Sequence, residues 1–270
     1  MRRQHLQHLR GCLPCASNKI CEAKQQRVLQ KQEIKKLTGS LIKQNFTLKE
    51  SVCTIISDKQ QAINAAVDSI KRNRQDLELY IKVNPKFMYS LTPVMAPEKP
   101  LVAKLMALAA EKAGVGPMAA VAGAIADLAV EDMKLVGCEV AVVEDGGEIS
   151  AASNRPVDVA VAAGEEPLSK RFGFRLSDFP IGVATSSGRF SHALSFGDAE
   201  AAIVFCKNAA LADAAATVVG NMVKGDAEAG IQAGINKGLS IEGVESVLII
   251  YKGQVGTAGK IPQIIKVDPL

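Results

Sequence analysis

Asp213 and Thr217 stand four residues apart in LADAAATVVGNMV, an Ala- and Val-rich run that reads as helix. That spacing puts a carboxylate and a hydroxyl on one helical face, a single turn apart. Two hard oxygen donors suit Mg²⁺, which completes six-coordination with water and substrate phosphates. The aspartate reads equally well as an acid placed early in a helix to meet its dipole. Gly114-Val115-Gly116-Pro117 precedes another helical run. Proline suits a first helical turn, glycines permit close approach, and the free N–H groups of a helix start favour an anion. An ordinary inter-helix turn has the same residues. Thr185-Ser186-Ser187-Gly188, after a strand-like run, offers three hydroxyls and mobile backbone donors, fitting either a phosphate lining or a surface turn. Asp145-Gly146-Gly147 has the composition of a tight hairpin turn. His192, the one histidine beyond the N-terminal segment, reads as a phosphate contact, a proton carrier or a structural group. Cys12, Cys15 and Cys21 include a pair with metal-ligand spacing but lack a fourth thiol, whereas Cys53, Cys138 and Cys206 read as core.

The elements that must position these groups follow from hydrophobic period. Leu41–Ser57 alternates and predicts a hairpin of two strands. Asp58 is the expected N-cap of a helix reaching about Tyr80, followed by a proline-rich connection from Asn84 to Pro100. Helices are expected over Leu101–Lys112, Met118–Val136, Ala209–Val223 and Ala227–Lys237. Strands are expected over Glu139–Glu144, Glu148–Ala152, Val157–Ala163, Ile181–Thr185 and Ala201–Lys207, with Val247–Tyr251 and Ile261–Val267 closing the chain as a hairpin. Strand groups and helix groups are segregated, which predicts an α+β class with a mostly antiparallel sheet.

Composition narrows the function. The chain of 270 residues has no Trp and 4% aromatics, which argues against a nucleic-acid surface built on stacked rings. Residues 1–37 hold nine Lys/Arg against two Glu, a net +7 that leaves −3 for the rest of a chain totalling +4. This predicts a basic tail and helix over 1–37 and one domain over 38–270, with no nucleic-acid partner. The apolar run Ala113–Ala126 is too short to span a membrane and is expected to be a buried helix. Charges near the N-terminus without a following apolar stretch, and scattered cysteines, predict a cytoplasmic protein with free thiols.

Taken in order, VGPMAAVAGAIADLAVED, VVEDGGEI, GVATSSGRFSHALSFGDAEAAIVFCKN and LADAAATVVGNMV resemble the ApbE-like proteins, relatives of FAD:protein FMN transferase. The likeness is nearer to an uncharacterised prokaryotic branch and runs from about Lys35 to the end, including KVNPKFMYSLTPV and VGTAGKIPQII. It implies a T-fold-like architecture with helices packed on one face of the sheet. It also implies Mg²⁺, held by Asp213, Thr217 and the backbone carbonyl of Ala122, and FAD or another flavin nucleotide as ligand or substrate. Gly146 and Gly147 match a Gly-Gly turn beside the flavin, Thr185 to Gly188 match a Thr-Ser-Gly loop, and His192 matches a histidine just beyond it. Gly116 is the expected anion-side glycine of the helix start. The implied partners are a flavin or nucleotide, a protein acceptor and a second copy of the chain. Two departures stand out. Where transferases read Gly-Gly-Ile-Ala-Lys-Gly, this chain reads Ala119-Ala120-Val121-Ala122-Gly123-Ala124, without the lysine; and His192 is followed by Ala193-Leu194-Ser195 in place of Ile-x-Asp-Pro. Loss of that positive charge predicts weaker FAD recognition, a different substrate, or a non-catalytic binding protein.

Overall fold

The computed structural model of the chain describes residues 41–160, 172–187 and 197–266. The N-terminal 1–40, with Cys12, Cys15 and Cys21, lies outside the described residues, as do Gly188 and His192.

Eight strands form one sheet in the order β1-β2-β3-β4-β7-β8-β9-β10, and every neighbouring pair runs antiparallel. These are β1 (Ile42–Leu48), β2 (Ser51–Ser57), β3 (Val140–Asp145), β4 (Glu148–Ser153), β7 (Ile181–Ser186), β8 (Ala201–Cys206), β9 (Val244–Tyr251) and β10 (Gln254–Gly259). A second, three-stranded sheet has the order β11 (Gln263–Lys266), β6 (Phe172–Leu176), β5 (Val157–Ala160). The helices are α1 (Gln60–Val83), α2 (Pro85–Tyr89), α3 (Leu101–Ala113), α4 (Val121–Leu135), α5 (Ala209–Met222) and α6 (Ala227–Leu239). The expected class is therefore met: α+β, antiparallel, with the helices gathered on one face of the large sheet.

Strand alternation divides the core in two. On β3, Ala141 and Val143 face the helices, whereas Val140 and Val142 face the small sheet. The helical side is rich in alanine: Ala103, Ala107, Ala110, Ala124, Ala212 and Ala216 are all buried there. The other side carries the larger side chains, with Phe174 stacked edge-on against Phe205 at 5.0 Å. Small residues on the helical side let α4 and α5 lie almost on the sheet and on each other. Gly182 of β7 touches the backbone of Asn208, since a Cβ there would fall 2.1 Å from the Asn208 carbonyl carbon.

Several sequence expectations change in the structure. Asp58 does not cap α1; Lys59 occupies that position without a side-chain cap bond. The Asp58 carboxylate instead accepts the N–H groups of Glu139 and Val140 at 3.0 and 2.9 Å, tying the entry of β3 to the end of β2. The terminal hairpin joins β9 to β10 rather than to Ile261–Val267. Lys252 and Gly253, both with positive φ, form its two-residue turn. β11 crosses to the second sheet and pairs Ile264 with Phe174. Glycines at 256 and 259 disguised β10: Gly256 sits under Ile231, 2.2 Å from where a Cβ would stand, so the strand needs glycine to pass over α6. α4 starts at Val121, because Pro117–Ala120 coil more tightly as a 3-10 turn. No single helix among the described residues is long and apolar enough to cross a membrane.

Candidate functional site

α4 and α5 cross near their N-terminal ends, and each caps the other. The Asp213 Oδ2, one turn into α5, accepts the N–H of Gly123 at 3.0 Å, with the Ala122 N–H contributing as well. In return Asp127, nearly two turns into α4, accepts the N–H groups of Ala209 and Ala210 at 2.8 and 2.9 Å. Helix starts leave N–H groups without intrahelical partners and carry partial positive charge, so both acids satisfy donors and dipole together. Ser150 of β4 donates to Asp127 at 2.7 Å and anchors the crossing to the sheet.

Glu148 lies two residues before Ser150 on the same helix-facing side of β4, beside the turn made by Gly146 and Gly147. Both turn glycines have positive φ, and Asp145 pairs directly with Glu148 across the hairpin. Asp145 is 3% exposed and accepts a hydrogen bond from Ser51 Oγ at 2.9 Å. Arg74 Nη1 donates to that same hydroxyl at 2.7 Å while Nη2 pairs with Glu50. A largely buried guanidinium thus reaches the turn through one serine.

The carboxyls crowd one another. Burial, more than anything else, pushes Asp213 up from 3.8 to about 7; the charges of Asp145 and Asp127 add to this, and the N–H groups of Gly123 and Ala122 oppose it. Burial, then Asp213 and Asp145, lift Glu148 well above the usual carboxylate range. Burial also raises Asp145 and Asp127 against the pull of their donors. Asp213 itself remains partly open to solvent although its carboxyl lies deep in the protein. A folded-state value above the unfolded one means that folding takes up a proton here. The associated stability is full below about pH 4 and fades as pH rises through 7. Metal-free protein will lose thermal stability between about pH 4 and pH 7, and Asp213→Asn will reduce the slope of melting temperature against pH.

The face of α5 bearing Asp213, Thr217 and Asn221 is half-open, whereas most of the helix is buried. Ser186 closes one side: its Oγ would be 3.1 Å from a Cβ on Gly220, one turn from Thr217. Thr185 points to the opposite face of β7, with Val183, so its hydroxyl is on the other side of the sheet from Asp213. Ser187, just past the strand, is buried. Gly116 is buried, and Ser90 O occupies the space beside it, 1.8 Å from where a Cβ would lie. The structure thus sets Asp213 and Thr217 on one half-open face of α5, with Ala122 at the Asp213 carboxylate and Ser186 by Gly220, and brings Asp213 within electrostatic reach of Glu148, the residue after the Gly146-Gly147 turn; Thr185 lies on the other side of the sheet. A separate cavity of about 330 Å³ lies toward the far side of Asp127, between Leu105, Leu108, Val130, Lys112, Lys207 and Leu211; neither Asp213 nor Thr217 lines it.

A divalent cation is compatible with these donors. The Asp213 carboxylate keeps lone pairs beyond the bond to Gly123. Among the described residues no three His, Cys, Asp or Glu side chains form a ligand set. Such an ion would depend on Asp213, Thr217, the Ala122 carbonyl, water and ligand phosphates, which is the mixed shell that Mg²⁺ takes.

Sequence reasoning missed Asp127, Glu148, Ser150 and Arg74. It also left the missing lysine unexplained. That position is Gly123, where the two helices touch: a Cβ would lie 2.2 Å from the Ala209 carbonyl oxygen. Gly123→Ala will cost about 1–3 kcal/mol in urea unfolding through overpacking against backbone.

Two antiparallel sheets with helices on one face, and an Asp-Thr face beside a Gly-Gly turn, define an ApbE-type architecture. The apo flavinyl transferase ApbE of Pseudomonas stutzeri superposes with a TM-score of 0.54 at 13% identity, covering 81% of this chain and 94% of that one. The ApbE protein of Thermotoga maritima gives 0.51 at 12% identity, covering 85% and 97%. The family model described as "AbpE bacteria" matches residues 41–242, and the chain belongs to that family. Its relatives include UPF0280 proteins of Methanococcus aeolicus, 37% identical over 233 residues (84% of this chain, 94% of the relative), and of Methanosarcina acetivorans, 38% identical over 230 residues (84% and 90%).

Proposed function

We propose that this protein binds FAD, or a closely related nucleotide diphosphate, with Mg²⁺ at Asp213 and Thr217, and transfers FMN from FAD to a hydroxyl of a polypeptide. The observation that carries this reading is the Asp213 carboxylate, set against the start of α4 and beside Glu148, at the edge of the Gly-Gly turn. Family membership and a fold shared with a protein named as a flavinyl transferase support it.

When bound, the metal would neutralise diphosphate charge and orient the reacting phosphorus. The chain's own groups do the rest. Asp213 and Thr217 would hold that ion, and Gly146 and Gly147 would let a ligand approach the backbone without a side chain in the way. Ser186 offers a hydroxyl at the wall. In the transfer, the acceptor oxygen forms a bond to the FMN phosphorus, the bond to the AMP oxygen breaks, and the hydroxyl proton leaves with AMP or water. Incubation with FAD, Mg²⁺ and a hydroxyl-bearing candidate acceptor should release AMP. No AMP from any acceptor removes the transfer step.

A second reading, flavin or nucleotide binding without turnover, is favoured by Gly123. No lysine can stand there without separating α4 from α5, so the site lacks one cation that transferases supply. Metal-dependent flavin binding with no AMP release would select it.

A further inference from the structure

The cavity beside Asp127 plays no part in the flavin reading, yet its lining mixes apolar walls with a few polar groups. α3 gives it Leu105, Leu108 and Lys112, spaced to share one helical face. Val130 of α4 and Leu211 of α5, both buried, complete the apolar side. Asp127, Ser150, Lys207 and Asn208 are its polar groups. The opening has a cause in the sheet. Pairing of β4 with β7 ends at Ala151 and Ile181, and the next residue on the β7 side is Pro180, which has no N–H to extend the ladder. A volume of about 330 Å³ is within the range of small-molecule sites.

Both signs of charge meet at one end. Lys207 and Asn208 run directly into Ala209, whose N–H the Asp127 carboxylate accepts at 2.8 Å. A carboxylate offers about four acceptor positions. Asp127 uses three of them, on Ala209, Ala210 and Ser150, and one remains for a donor from a ligand. Lys207 meets Glu245 at 3.1 Å and Lys112 meets Glu242 at 3.7 Å. These are exposed pairs, weakly held, that can yield to an anion seated in the cavity. Glu131, the remaining charged residue of the lining, pairs with Lys134 at 2.8 Å. The lining therefore carries two cations and two acids, and a neutral ligand bearing one charge of each sign matches it.

We infer that this cavity binds the zwitterion of an apolar α-amino acid, with its ammonium on Asp127, its carboxylate on Lys207 and its side chain against Leu105, Leu108, Val130 and Leu211. Lys112 adds a second cation for the carboxylate. A ligand with one charge alone is disfavoured. An apolar acid sets its anion near Asp127 with no cation of its own to meet it, and an apolar amine sets its cation near Lys207. The inference is independent of the flavin reading, because neither Asp213 nor Thr217 lines the cavity.

Isothermal titration calorimetry of the full chain with L-leucine, isocaproate and isoamylamine tests this, since the three share one apolar body and differ only in their charged groups. L-Leucine is expected to bind, and each analogue with a single charge at least tenfold more weakly. Lys112→Ala combined with Lys207→Ala should weaken L-leucine at least tenfold while changing isoamylamine little. Leu108→Asp should weaken both, because it places a charge on the apolar wall. All three side chains are exposed, so the melting temperatures of the ligand-free variants should match the parent. No binding of L-leucine, L-valine or L-phenylalanine at about 10 mM overturns the inference. Analogues that bind as tightly as L-leucine overturn the zwitterion, and variants that keep the parent affinity overturn the cavity as its place.

Discussion

Asp213→Asn will weaken Mg²⁺-dependent flavin binding on the order of 10²-fold while leaving the fold largely intact. Asparagine keeps an oxygen able to accept the Gly123 N–H, so the start of α4 remains capped. What disappears is the charge. Losing a preorganised electrostatic partner of a diphosphate costs on the order of 10²-fold, and titration of FAD fluorescence with and without Mg²⁺ reads it directly. Asp213→Ala removes charge and cap together and will in addition destabilise the protein by about 1 kcal/mol. The pair of variants separates the two jobs of this side chain. If Asn and Ala variants both bind FAD like the parent, Asp213 is a helix cap and nothing more.

Asp127→Ala carries the largest expected stability effect. It strands the N–H groups of Ala209 and Ala210 and the Ser150 hydroxyl in a buried crossing. A lost cap is worth about 1 kcal/mol, and each buried donor left without an acceptor about 1–3 kcal/mol more where water cannot reach it. We expect about 3 kcal/mol by urea unfolding and, in a domain of this size, a melting temperature about 10 °C lower. Ser150→Ala should cost only about 1 kcal/mol, because it removes one of the three donors and leaves both caps in place. Near-equal losses for the two variants would mean that the cap of α5 does not depend on the Asp127 carboxylate.

The helices and most strands were legible because their signals are local. β2 alternates buried and exposed residues, α3 ends at Gly114 in a left-handed turn, and Asn208 caps α5 as its residue type suggests. The errors fell where a partner distant in sequence decides. Asp58 looks like a cap until the N–H groups of Glu139 and Val140 compete for it across 81 and 82 residues. β10 reads as a glycine loop until α6 is placed against it. The site shows the same division. The Asp213–Thr217 spacing is a helical period and is visible in the sequence. That Asp127 and Asp213 cap each other's helices is a property of the crossing, and no period announces it. Glu148 reads in the sequence only as the start of a returning strand, and its helix-facing side is fixed by the packing of β4, whose Ile149 and Ala151 take the other face. Gly123 explains the missing lysine through a backbone contact that only the packed helices reveal.

The central claim is that a divalent cation joins a flavin diphosphate to Asp213 and Thr217. Crystals grown with FAD and Mn²⁺ in place of Mg²⁺ test it most directly through the anomalous signal of the metal. The account predicts one peak within about 2.2 Å of an Asp213 carboxylate oxygen, beside the Thr217 hydroxyl and the FAD phosphates. A peak elsewhere, or FAD bound with no metal between it and Asp213, would contradict it.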